Sequence, residues 1–187
     1  MGFYDDEKTA RQYIEMAEGY DGAELIQALH AHVPKGATIL ELGMGPGTDL
    51  NILNQSYTVT GSDTSQFFLD EYATKHPKAD IIHLDAQHLD TDRVWDCVYS
   101  NKVLHHLDDA ELENSLARQC KILAENGCIM HSFWRGSGVD EHQGLRFHNR
   151  TEDDIRNVVE KEFNILELAT YNEMEPDDSI YVIASKK

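Results

Sequence analysis

The residues that invite chemistry are concentrated in one short segment, Glu41-Leu42-Gly43-Met44-Gly45-Pro46-Gly47. Three glycines at every second position remove Cβ atoms where the backbone must bend and let a ligand approach the main chain closely. The spacing excludes two familiar nucleotide loops, because the dinucleotide fingerprint is G-x-G-x-x-G and the phosphate loop needs Gly-Lys-Ser/Thr. Here the pattern is G-x-G-x-G, with an acid two residues before the first glycine and no lysine after the third. Downstream, polar residues close successive apolar runs at Gly61-Ser62-Asp63, Leu84-Asp85-Ala86 and Asp96-Cys97-Val98-Tyr99-Ser100-Asn101. A single Asp at a strand end is usually a turn former or a helix cap. Four landmarks on four successive strand ends point instead to one shared ligand. His105 and His106 follow the last of them, and an imidazole can take a proton near neutral pH if the chemistry requires a base. Adjacent residues are expected to face different ways, so only one of the pair is expected to serve. No H-x-x-x-H or H-x-x-E-H pattern occurs, and His83 and His88 straddle a loop, so no metal is expected.

These residues need a scaffold, and the hydrophobic pattern supplies one. Strands are expected over Thr38–Leu42, Tyr57–Ser62, Ala79–Leu84, Arg93–Ser100 and Cys128–Phe133. Helices are expected from about Thr48 to Asn54, from Ser65 to Lys75, from Asp108 to Glu125 and from Thr151 to Lys161. The longest has Leu112, Leu116, Cys120 and Leu123 on one face, an Asp108/Glu111 capping box and Asn126-Gly127 as its stop. Two final strands, Asn164–Tyr171 and Ser179–Ser185, flank a turn that suits an antiparallel hairpin. Residues 5–32 read as two helical pieces broken at Gly19-Tyr20-Asp21-Gly22, with Asp21 capping the second. The polar, glycine-rich stretch Arg135 to Arg150 is expected to be a functional loop. This alternation predicts an α/β fold: a doubly wound, mostly parallel seven-stranded sheet with helices on both faces and an antiparallel C-terminal hairpin. One domain is expected over 1–187, a helical N-terminal cap over 1–35 and a Rossmann-like core over 36–187. Ligands in such sheets sit beyond the carboxyl ends of the strands, at the switch point.

Composition narrows the partners. The chain has 187 residues, 16 Lys+Arg against 34 Asp+Glu and a formal charge of −18. A nucleic-acid binder must neutralise phosphates with clustered Lys and Arg, and an anionic membrane surface would repel this chain. No apolar run approaches the ~20 residues of a membrane span. The start, MGFYDDEKTARQY, lacks a secretory signal's apolar core, and three cysteines (Cys97, Cys120, Cys128) argue against a disulfide framework. A cytoplasmic setting is expected, with neither nucleic acid nor membrane as partner.

The E-x-G-x-G-x-G segment resembles the first motif of class I S-adenosylmethionine-dependent methyltransferases, and the later landmarks follow in that family's order over roughly residues 36 to 187. The resemblance implies S-adenosyl-L-methionine as cofactor, bound by Glu41, Gly43, Gly45 and Gly47. Asp63 would grip the ribose, since a carboxylate accepts from two vicinal hydroxyls at once. Thr64 stands beside it where the family usually has an apolar residue against the adenine. Asp85 would accept from the exocyclic amine while the Ala86 N–H meets a ring nitrogen, and the Asn101 backbone would hold the methionine amino group. The Asn/Asp-Pro-Pro-aromatic signature of base-modifying members is absent, so a small-molecule acceptor is expected. Methyl transfer is an in-line displacement that works largely by positioning. His106 and His105 are the catalytic candidates. Tyr13 and Tyr20 would form a lid, Trp134 and Phe147 an acceptor wall, and Arg135, Arg146, His142 and His148 its polar hooks. The rival reading is a catalytically silent S-adenosylmethionine-binding module acting as a sensor or partner subunit; a nicotinamide oxidoreductase is disfavoured by the glycine spacing. The oligomeric state is left open.

Overall fold

The computed structural model describes residue 4, residues 6–142 and residues 144–187. Asp5 and Gln143, which fall in the expected helical stretch and the expected loop, lie outside them. In chain order the elements are α1 (Glu7–Met16), α2 (Ala23–Leu29), β1 (Thr38–Leu42), α3 (Thr48–Leu53), β2 (Thr58–Asp63), α4 (Gln66–Lys75), β3 (Asp80–His83) and β4 (Trp95–Asn101). A short 3-10 turn (Leu104–His106) leads into α5 (Asp109–Ile122), β5 (Leu123–Trp134), β6 (Val139–His142), β7 (Leu145–His148), α6 (Glu152–Val159), β8 (Phe163–Tyr171) and β9 (Ser179–Lys186).

The main sheet has the seven strands that the alternation predicts, and their order is β3-β2-β1-β4-β5-β9-β8. The first five are parallel, and β9 lies antiparallel between β5 and β8. Strand alternation divides the apolar side chains between two cores. Ile39, Cys97 and Tyr99 belong to one face, where Leu25, Ile26 and Leu29 of α2 and Leu50 and Leu53 of α3 are buried. Leu40, Leu42 and Val98 point the other way, against Leu112 and Leu116 of α5 and Ile155 and Val159 of α6. The strand order reverses between β1 and β4, so a crevice opens above the carboxyl ends of these two strands.

Several expectations are corrected. Helix α5 has its Asp108/Glu111 capping box but ends at Ile122, and Leu123 opens β5 rather than extending the helical face. Gly127 is therefore no helix stop: a Cβ there would lie 3.1 Å from the Asp96 carbonyl, so it permits close approach of two strands. Segment 135–150 is largely a two-stranded hairpin, β6 paired with β7 from Val139↔His148 to His142↔Leu145. Asp21 accepts from the Ala23 N–H at 2.9 Å, but the N-cap of α2 is Gly22, whose own N–H is taken by Asp49. No helix among the described residues is long and apolar enough to cross a membrane.

Candidate functional site

The crevice encloses about 400 Å³, within the range of small-molecule sites. It gathers Glu41 near the end of β1 and Gly43 and Gly45 of the glycine loop with Asp63 and Thr64 at the end of β2, Asp85 and Ala86 after β3, and Asn101 at the end of β4. Tyr13 of α1 and Tyr20 in the link to α2 line one side of it, and His105, His106, Trp134 and Phe147 line another. A hollow of about 510 Å³ at the other end of the sheet, beside His32, Asp96 and Cys128, brings together none of the expected site residues.

One wall of the crevice is acidic. Glu41, Asp49 and Asp63 are 4%, 7% and 8% exposed. Burial raises all three carboxyl pKa values, Glu41 furthest, with Asp49 and Asp63 adding like-charge repulsion on it. The two oxygens of Asp63 accept from the N–H groups of Gly45 and Ser65, each at 2.8 Å, which fixes the carboxylate against the loop. Asp49 accepts from the Gly22 N–H (2.7 Å), the Tyr99 hydroxyl (2.7 Å) and the Asn101 amide (3.1 Å). The Asn101 side-chain oxygen takes the Ser132 hydroxyl at 2.6 Å, so both ends of that amide are committed to protein. Among the described residues Glu41 Oε2 is buried with no hydrogen-bond partner. Gly45 has φ +50°, and a Cβ there would meet only the Tyr13 ring at 3.7 Å, so the loop is open to a ligand on that side. Gly47 lies off the crevice; its φ of +87° starts α3, and a Cβ would strike the Tyr72 ring at 2.2 Å.

The Asp85-Ala86 loop is held from beneath. The Ser115 hydroxyl donates to the Ala86 carbonyl at 2.6 Å, and Gln119 links Ser115 to His131, whose other nitrogen meets Ser100. Complete burial pushes His131 down to about 3, so it is a neutral core histidine. Asp85 itself is turned to the Gln87 N–H and the His88 ring, both at 2.8 Å.

His105 and His106 do not face apart, because the tight 3-10 turn brings their rings together with 3.1 Å between the Nε2 atoms. His106 Nδ1 lies 2.8 Å from the Arg146 carbonyl and so carries the hydrogen. The neutral ring then accepts at Nε2 from His105, which leaves His105 Nδ1 as a buried acceptor without a partner. Burial lowers the pKa of both rings, so the pair is neutral. Strand alternation decides the rest of this wall. Phe147 of β7 packs against both histidines, tilted to one and edge-on to the other, whereas the neighbouring Arg146 and His148 are not among the side chains lining the crevice. The expected hooks Arg135 and His142 are absent from the lining too, Arg135 being paired with Glu152.

A family model described as a methyltransferase domain matches residues 39–127, the stretch from β1 through the start of β5. Over that stretch, just under half of its length, the chain is similar to S-adenosylmethionine-dependent methyltransferases. Solved structures carry the same fold over nearly the whole chain. An S-adenosylmethionine-dependent methyltransferase from Clostridium acetobutylicum is 13% identical, with a TM-score of 0.78 over 94% of this chain and 98% of that one. One from Mesorhizobium loti is 19% identical, with a TM-score of 0.73 over 89% of this chain and 99% of that one. The glycopeptide N-methyltransferase MtfA is 15% identical, with a TM-score of 0.74 over 91% of this chain and 92% of that one. No curated protein matches the chain by sequence comparison.

The polar residues of the crevice that sequence reasoning missed include Asp49, Lys102 and Glu173. Asp49 carried one signal, an acid beside Leu50 in a helix otherwise buried on that side. The acid wall gives a direct expectation. A carboxyl whose pKa is raised in the fold binds more protons folded than unfolded, so its contribution to stability falls as pH rises above the ordinary carboxylate range. Ligand-free Glu41→Gln should therefore gain on the wild type in melting temperature as pH is raised from 5 to 8, a comparison in which the histidine contributions cancel. A difference that stays constant across that range would show that Glu41 is not the proton-holding acid.

Proposed function

We propose that this chain binds S-adenosylmethionine in the crevice and transfers its methyl group to a small-molecule acceptor. The observation that carries the reading is the acid wall beside an open glycine loop: three buried carboxyls, one with an unpartnered oxygen, next to Gly45. Such a wall is costly unless a cation faces it, and it suits a positively charged ligand that carries hydroxyls. When bound, the cofactor supplies an electrophilic methyl group on a sulfonium.

The chain's own residues would then act by holding and excluding. Glu41 and its neighbours face positive charge, and Gly43 and Gly45 offer backbone at close range. The Asp63 oxygens each keep lone pairs for ribose hydroxyls after accepting from Gly45 and Ser65. Thr64, Asp85 and Ala86 frame the base, and the Asn101 main chain, fixed through Asp49 and Ser132, meets the amino group. Tyr13 and Tyr20 shut out water on one side while Trp134 and Phe147 confine the acceptor on the other. His106 is already engaged at both nitrogens, so its part is to seat the Phe147 strand; it would serve as a base only by releasing His105.

Titration calorimetry tests the reading. S-adenosylmethionine and S-adenosylhomocysteine should bind, and NAD and ATP should not. Asp63→Ala should weaken binding by about 2 kcal/mol, roughly thirtyfold, through loss of charged hydrogen bonds. Tighter binding of NAD than of S-adenosylmethionine would overturn it. Turnover over a panel of acceptors separates the enzyme from a silent binding module.

A further inference from the structure

Lys102 stands where β4 ends, and its backbone has φ +54°, a left-handed conformation that side-chain-bearing residues avoid. Strain of this kind clusters at functional sites. Its N–H donates to the Ser132 hydroxyl at 3.0 Å, and its side chain runs into the crevice wall, 12% exposed. There Nζ donates to Ser179 Oγ at 2.6 Å and to Glu173 at 3.2 Å, and sits 3.4 Å above the centre of the Trp134 ring. The partner is built with equal care. Asp178 takes the N–H groups of Glu173, Met174 and Glu175 at 2.9 to 3.0 Å, which folds the β8–β9 turn so that Glu173 and Met174 line the crevice.

A structural tie does not require this arrangement. A nearly buried ion pair seldom stabilises more than well-packed apolar side chains would, and here a strained backbone is added to its cost. Charge distribution supplies the second argument. In a chain of formal charge −18, the crevice is lined by Asp21, Glu41, Asp49, Asp63, Asp85 and Glu173, yet Lys102 is the one Lys or Arg among the described residues lining it. Its ammonium lies near enough to His105 to lower that ring's pKa further and sits against the aromatic wall at Trp134. The crevice thus has an acidic wall and a single ammonium, paired with Glu173 in the free protein.

We propose that the Lys102 corner receives an oxyanion, so that the acceptor is a small apolar or aromatic molecule bearing a carboxylate or ionised hydroxyl. The ammonium exchanges Glu173 for the ligand while Trp134, Phe147 and Met174 enclose the ligand's apolar body. The anion's role as methyl acceptor rests on the methyl-transfer reading above; the anion site itself does not.

The probes are benzoate, benzyl alcohol and benzylamine, added to protein saturated with S-adenosylhomocysteine and followed by tryptophan fluorescence. Benzoate should bind at least tenfold more tightly than benzylamine, and Lys102→Met should abolish that preference while leaving S-adenosylhomocysteine affinity within about twofold. A wild-type pH series makes the test independent of whether the variant folds. Burial lowers the Lys102 ammonium to about 8, against the raising influence of Glu173 and Asp178; the aromatic rings of Trp134 and Tyr171 and the neutral His105 complete its surroundings. Benzoate affinity should therefore fall as pH rises from 7 to 9 while benzyl alcohol affinity stays level. Tighter benzylamine than benzoate, a flat benzoate profile, or undiminished benzoate binding to Lys102→Met would each overturn the proposal. Absence of S-adenosylhomocysteine binding would instead overturn the methyl-transfer reading.

Discussion

Asp49→Ala is expected to lower the unfolding free energy by about 3 kcal/mol and to weaken cofactor binding at the same time. The carboxylate gathers three donors from three parts of the chain: Gly22 between the amino-terminal helices, Tyr99 inside β4 and Asn101 at its end. Removing it strands a buried hydroxyl, a backbone N–H and an amide, each worth about 1–3 kcal/mol when left unmade. Part of that loss is offset, because burial disfavours the charged carboxylate itself. The functional loss has a separate route. Gly22 N-caps α2 and its tie to Asp49 sets how α1 and Tyr13 lie over the crevice, while Asn101 carries the main chain proposed to meet the amino group. Asp49→Asn keeps the shape and one acceptor oxygen, and should cost less than half as much. Denaturant unfolding and calorimetry measure both effects; a loss below about 1 kcal/mol with unchanged affinity would reduce Asp49 to an ordinary buried acid.

Asp49 also marks where sequence reading stops. The sheet was legible because each element declared itself locally: Thr38–Leu42 is apolar and continuous, and the glycine loop follows at once. Residues at strand ends were legible for the same reason, since Asp63, Asp85 and Asn101 reach the crevice by virtue of where their strands stop. Lys102 and Glu173 are 71 residues apart and meet only because β9 inserts between β5 and β8, a pairing that no local pattern encodes. His105 and His106 failed differently. Adjacent residues in extended chain would diverge, but the 3-10 turn at Leu104–His106 folds their rings into contact. The stretch after β5 was read as a loop because its polar composition hides a period of two, visible only once Phe147 is seen facing the crevice between two residues that do not.

That alternation yields the sharpest expected contrast in activity. Phe147→Ala and Trp134→Ala should each lower kcat/KM for methyl transfer by about a hundredfold, the loss that follows from displacing a reacting group by roughly 1 Å. Arg146→Ala and His148→Ala, the residues on either side of Phe147, should stay within about threefold of wild type. The reason is the pleat: successive side chains of β7 leave on opposite faces, and the Phe147 ring packs on the paired histidines, at 5.1 and 4.9 Å between ring centres, and lines the crevice, which the side chains of Arg146 and His148 do not. The Arg146 main chain does serve, through the carbonyl that fixes His106, and truncating its side chain leaves that carbonyl in place. Cofactor affinity should be preserved in Phe147→Ala, because the proposed cofactor contacts come from strands β1 to β4. Trp134→Ala carries an added consequence: it removes the ring beneath the Lys102 ammonium, so its loss should be largest for anionic acceptors. Steady-state kinetics on the four variants, with calorimetry for the cofactor, decide the matter. Equal losses along Arg146, Phe147 and His148 would mean that the hairpin contributes only its fold, and equal loss of cofactor affinity in Phe147→Ala would move that ring out of the acceptor wall.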